Sequence, residues 1–231
     1  MNKISINKCV GGAWDLTTKN WIMCIIVLVT SIVVSAISSL TAPTVDYNTS
    51  GMTFEELINM YAEIISNSFG VFTLVAYIVQ YIIYAGLYKM SLNAYNGQKA
   101  DTSAYKMPLA TYVKFIAACI AYCILVWVGL ICCIIPGIII GVRLMFTPFI
   151  LLDEPETELT EAFKKSWAMT SGNFWSLFGL LIVALLINVV GFVCCCIGAI
   201  FTAVMAVFMM VIAYYQLKDN VNDFGQPVTE I

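Results

Sequence analysis

Arg143 to Val183 reads RLMFTPFILLDEPETELTEAFKKSWAMTSGNFWSLFGLLIV, and three successive textures within it decide the fold. An apolar run closes on the acidic pair Asp153-Glu154. A charged helix follows from about Glu158 to Ser171, in which Leu159, Ala162, Phe163 and Trp167 share one face while Lys164 and Lys165 lie away from it. Gly172-Asn173 ends that helix, glycine being suited to the C-terminal turn, and Phe174 opens a second apolar run. The pattern is that of one membrane span, an amphipathic helix across its exit, and the start of the next span.

Composition places the whole chain in the same setting. Of 231 residues 61% are hydrophobic and only 11% are charged, against roughly a quarter charged in soluble domains. Several runs approach the roughly 20 apolar residues needed to cross the hydrocarbon. The net charge of -3 is small and scattered, with no basic patch or stacking motif for nucleic acid. The chain has no histidine, which removes Ser-His-Asp hydrolysis, His-ligated zinc or iron, and imidazole acid-base chemistry.

Taken in order, the chain predicts an all-α polytopic membrane protein, a single integral membrane domain over residues 1–231 with six spans. They fall at about 21–40, 64–88, 111–134, 138–152, 174–196 and 199–217. Residues 5–19 form a polar, partly amphipathic lead-in, a poor match to a short cleavable signal. Thr53 and Glu56 make a capping box that opens an interfacial helix feeding the second span. Pro136-Gly137 predicts a tight outer turn, Pro148 a kink in a short fourth span, and Gly198 the connection of a final hairpin.

With six spans, every lysine falls on one side, and the opposite connections carry no Lys or Arg, so the positive-inside rule places both termini in the cytoplasm. The chain also repeats itself. A shift of 153 residues superposes Trp14 on Trp167, Thr17 on Thr170, Asn20 on Asn173 and Trp21 on Phe174, as in repeats related by an axis along the membrane normal. Ser103 to Lys114 reads as a third, weaker copy.

The stretch from Ile135 to Val183 resembles the membrane domain attached to some bacterial glycerophosphodiester phosphodiesterases, and related stand-alone six-span bacterial proteins. The matching features are the Pro-Gly pair, Arg143, a proline before Asp153-Glu154, the Ala-x-x-x-Ser helix (Ala162, Ser166) and Gly172-Asn173-Phe174-Trp175. The resemblance covers about residues 100–217. It implies a multi-pass protein of the bacterial cytoplasmic membrane without chemistry of its own; the catalytic barrel of those enzymes, with its histidines and metal-binding carboxylates, has no counterpart here.

Four residues are candidates for a ligand site. Arg143, the only arginine, lies inside the fourth span, where a charge costs at least about 2.5–3.5 kcal/mol unless it pairs or snorkels. It reads either as a contact for a lipid phosphate or other anion, or as a structural partner of Glu63 near the outer surface. Gln80 and Asn188 sit mid-span, where amides join helices. Among the nine cysteines, Cys132-Cys133 and Cys194-Cys195-Cys196 fall near hairpin tips, but without Cys-x-x-Cys spacing they read as packing residues rather than metal ligands. The acidic run from Asp153 to Glu161 is read as helix N-terminal charge with Thr157 as cap, against the alternative of a divalent-ion site. No cofactor or metal is implied. The partners expected are the bilayer, and a membrane protein or second copy. The function predicted is a non-catalytic membrane protein organising lipids or a partner. The alternative is a small transporter or channel component around Arg143.

Overall fold

The computed structural model describes residues 4–41, 52–68, 71–194 and 196–218, with backbone alone for 34, 36–41, 63–68, 71–77, 194 and 196–197. Among the described residues the chain is all-helical: α1 (Ile6–Lys19), α2 (Ile22–Thr41), α3 (Phe54–Ser68), α4 (Val71–Tyr95), a 3-10 turn (Thr102–Tyr105), α5 (Leu109–Cys132), α6 (Ile134–Leu144), α7 (Thr147–Asp153), α8 (Leu159–Met169), α9 (Phe174–Cys194) and α10 (Cys196–Lys218). Ile120, Ile124, Trp127 and Ile131 on α5, and Leu185, Leu186, Val189 and Phe192 on α9, are exposed. So large an apolar surface marks contact with lipid rather than water.

The expected six crossings are not confirmed among the described residues. Among the described residues four segments are long and apolar enough to span: Leu109–Cys132, Ile134–Asp153, Phe174–Val193 and Gly198–Lys218. A fifth arises if α1 and α2, bent by 80° at their junction, count as one. The polar lead-in is therefore not a separate surface segment. It packs antiparallel along α10, with the Ser5 amide donating to Gln216 Oε1 at 3.0 Å and Trp14 edge-on to Phe201 at 5.2 Å. The expected second span divides into α3 and α4. The capping box before α3 forms as expected: the Thr53 amide donates to Glu56 Oε2 at 2.7 Å and the Glu56 amide to Thr53 Oγ1 at 3.4 Å.

Two hairpins, α5–α6 and α9–α10, are closed by glycine. A Cβ on Gly129 would lie 2.8 Å from the Gly137 Cα, and one on Gly191 would lie 2.9 Å from the Gly198 carbonyl oxygen, so the backbones of each pair touch. Small residues permit this approach where lipid supplies no hydrophobic drive between helices. Pro136-Gly137 is thus not the turn. Extended backbone at Cys133 makes it, and Pro136 sits in the first turn of α6, where its missing N–H costs nothing. Gly198 likewise lies inside α10 rather than in the connection. Cys132 and Cys133 are free and exposed, not packed; the side chains of Cys194, Cys195 and Cys196 lie outside the described residues.

The third repeat copy shrinks to the 3-10 turn, whose Tyr105 covers Gly86 on α4 and donates its hydroxyl to the Ile83 carbonyl at 3.3 Å. The other two copies agree in detail. Cys9, Ala13 and Thr17 are fully buried on α1, as are Ala162, Ser166 and Thr170, their equivalents 153 residues on.

Candidate functional site

The span Ile134–Asp153 breaks between α6 and α7, as Pro148 predicts. Proline has no N–H for the carbonyl four residues back, and carbonyls around such a break must find other donors inside a membrane. They do. Tyr122 of α5 donates its hydroxyl to the Gly141 carbonyl at 3.1 Å, and Ser166 Oγ of α8 donates to the Arg143 carbonyl at 2.8 Å, with Thr170 Oγ1 at 3.4 Å. This gives the Ala-x-x-x-Ser motif a physical meaning: Ala162 lets α8 approach and Ser166 repairs the broken ladder. The buried face of α8 accordingly carries the small residues. Trp167, read as sharing one face with Ala162, is 46% exposed, whereas Ala162 is fully buried.

Below the break, the exit segment Leu152 to Thr157 is held from four helices. Lys89 of α4 donates to the Leu152 carbonyl at 2.7 Å, and Lys114 of α5 to the carbonyls of Pro155 at 2.8 Å and Thr157 at 3.3 Å. Lys89 satisfies a carbonyl left open at the negative end of α7, and Lys114 two carbonyls of the turn that follows it. Asp153 accepts from the hydroxyls of Tyr214 (3.1 Å) and Tyr215 (3.3 Å) and pairs with Lys218, all on α10. Glu154 pairs with Lys165 of α8 at 3.0 Å and with Lys218 at 3.1 Å. Tyr215 is fixed in turn by stacking on Tyr95 (4.4 Å) and by the Asn96 amide at 2.7 Å.

Residues 113–219 match the membrane domain of glycerophosphoryl diester phosphodiesterase. The resemblance read from the sequence therefore holds for that stretch, and the protein is a membrane protein. The matched stretch takes in most of α5 and all of α6 to α10: the break, its repair by α8, and every member of the exit clamp except Lys89, Tyr95 and Asn96. No curated protein and no solved structure matches the chain.

Within the matched stretch the clamp is electrostatically closed. Burial pushes the Glu154 carboxyl up, but hydrogen bonds and charge from Lys165 and Lys218 outweigh it and hold the pKa below its ordinary 4.5. Burial pushes Lys165 down, and Glu154 and Glu161 outweigh it, raising it above 10.5. Lys165, read as lying away from the apolar face, has a side chain only 13% exposed and paired to both acids. Thr157 caps nothing; its hydroxyl donates to Glu154 Oε2 at 3.4 Å. No group of three His, Cys, Asp or Glu among the described residues is placed to hold a metal ion.

Arg143 lies at the C-terminal turn of α8, with no ion pair to an acid among the described residues. Its guanidinium sits 5.1 Å over the Trp167 ring, Nη1 donates to the Trp167 carbonyl at 3.4 Å, and Nε is buried without a partner among the described residues. The side chain of Glu63, its expected partner, lies outside the described residues. Asn188 joins the last hairpin, donating to the Ala184 carbonyl at 2.9 Å and accepting from Thr202 at 3.2 Å. Gln80 Oε1 is buried without a hydrogen bond among the described residues. Among the described residues no hydrogen bond or ion pair joins Arg143, Gln80 and Asn188 to one another. Sequence reasoning missed the clamp itself: Tyr214 and Tyr215 look like ordinary aromatic residues of a span. The available signal was Lys218 four and three residues beyond them, opposite the acidic pair.

Proposed function

We propose that this chain is a non-catalytic protein of the bacterial cytoplasmic membrane that organises lipid, with Arg143 as the contact for a phospholipid phosphate. The observation that carries the reading is the state of the charges. Asp153, Glu154 and Glu161 are matched by Lys165 and Lys218, whereas Arg143 has an aromatic face, one backbone carbonyl and a free Nε. A guanidinium is weakly hydrated and suited to phosphate. The gathering of Lys89, Lys114, Lys165 and Lys218 at one end supports a cytoplasmic clamp, and with it cytoplasmic termini.

A transport path would need Arg143, Gln80 and Asn188 to face a common route, and each has separate surroundings. The test uses the full chain in nanodiscs of phosphatidylcholine with increasing phosphatidylglycerol. The wild type gains thermal stability with the anionic lipid. Arg143→Gln, with unchanged helix content, loses that gain and Arg143→Lys keeps part of it. An equal gain in Arg143→Gln rejects the phosphate contact.

A further inference from the structure

A cavity of about 450 Å³ lies between α4, α5, the α6–α7 break, α9 and α10. Its walls are apolar where Met145, Leu181, Ala206, Val207 and Met210 line it. Along α4, Tyr84 and Tyr88 line it at helical spacing, and neither hydroxyl has a hydrogen bond among the described residues. It opens sideways: Tyr84 and Cys123 on its rim are exposed, next to the lipid-facing Ile82, Ile120 and Ile124. Its Tyr88 end continues into the clamp, since Tyr88 packs on Phe149 (4.9 Å), Phe149 stacks on Tyr214 (6.2 Å) and Tyr214 bonds Asp153.

We propose that this groove binds one glycerophospholipid of the bilayer, its acyl chain along Met145, Ala206 and Met210 and its ester oxygens accepting from Tyr84 and Tyr88. The proposal rests on the lipid-organising reading but places chain binding away from Arg143. Three features favour a lipid over a protein helix. The cavity lies within the ordinary small-ligand range of about 300–1,000 Å³. A helix about 10 Å wide would fill it with roughly one turn, whereas a single hydrocarbon chain, under half as wide, runs at least about four times as far in the same volume. A phenol hydroxyl without a partner among the described residues is costly in hydrocarbon, and a lipid ester supplies an acceptor for it.

The test uses the full chain in vesicles of phosphatidylcholine and phosphatidylglycerol containing a trace of phosphatidylcholine with a diazirine midway along one acyl chain. Photolabelling followed by peptide mapping should mark Cys119–Cys123 and Ala206–Met210 above the outward positions Ile124 and Trp127. Ala206→Trp fills the groove and abolishes the excess. Tyr84→Phe with Tyr88→Phe, which removes only two oxygens, lowers it about three- to tenfold, the worth of one or two hydrogen bonds. Labelling spread evenly over outward positions, or an excess untouched by both sets of variants, overturns the proposal. Arg143→Gln run in parallel separates the two readings: it leaves groove labelling intact if only the phosphate contact is lost.

Discussion

α1 and α8, 153 residues apart, bury the same stripe of small side chains, and each closes it with a threonine hydroxyl donating to the carbonyl four residues back, Thr17 to Ala13 at 2.7 Å and Thr170 to Ser166 at 3.0 Å. Each also carries a half-exposed tryptophan, 54% for Trp14 and 46% for Trp167. Their docking differs. α8 lies on a broken span, where Ser166 supplies a hydrogen bond that the break requires, Trp167 meets a guanidinium, and Lys165 enters the clamp. α1 lies on the unbroken α10, where a Cβ on Gly12 would come within 3.0 Å of Ile212 Cδ1 and Trp14 meets Phe201. The same helix pattern thus serves two surfaces, and what the neighbour lacks decides which side-chain chemistry the stripe needs.

The largest effect expected to separate the two helices comes from the clamp, which α1 does not share. Asp153→Leu leaves Lys218 with Glu154 alone and takes the acceptor from two tyrosine hydroxyls. It should cost about 2–3 kcal/mol, less than the 3–5 of a fully buried pair because the Lys218 side chain is 36% exposed. Hydrogen exchange should then quicken in Leu159–Met169 before Ile6–Lys19; equal loosening of both would mean that the two dock alike.

Next in size is the hydroxyl itself. Ser166→Ala leaves the Arg143 carbonyl with only the 3.4 Å contact to Thr170 and should lower stability in detergent by about 1–2 kcal/mol. The mirror change, Ala13→Ser, puts a hydroxyl at a buried site where no broken ladder needs it; the hydroxyl can donate to the Cys9 carbonyl four residues back, so the change should lower stability by less than Ser166→Ala does. A larger effect at Ala13 than at Ser166 would reverse the comparison.

The smallest effect is pH. Because the Glu154 pKa is lowered on folding, its contribution is complete above 4.5 and is lost as pH falls through the lowered value. Lys165, raised above 10.5, contributes fully below that value and loses its contribution as pH rises through the folded one. Thermal unfolding should therefore be level between these limits. The acid loss attributable to Glu154 should stay under about 1 kcal/mol because the pair is partly solvated, and Glu154→Gln should remove it.

The helical membrane architecture, the kink at Pro148, the capping box at Thr53 and the 153-residue correspondence were all legible in the chain. They arise from local causes: apolar run length, a missing N–H, a short polar reach, and the spacing of small residues. Which face of α8 turns inward was not legible, because in lipid the large apolar residues need no burial and the small ones gain contact. Nor was the docking of α1 legible, since it is polar by composition yet packs along α10.

Composition and periodicity determined that this protein is a bundle of apolar helices with short amphipathic helices beside them, because those properties are carried by neighbouring residues. Tertiary structure decided that Lys89, Lys114, Lys165 and Lys218 meet around Leu152 to Thr157, and that Arg143 faces Trp167. Charges far apart in the chain find their partners only when the helices carrying them pack side by side.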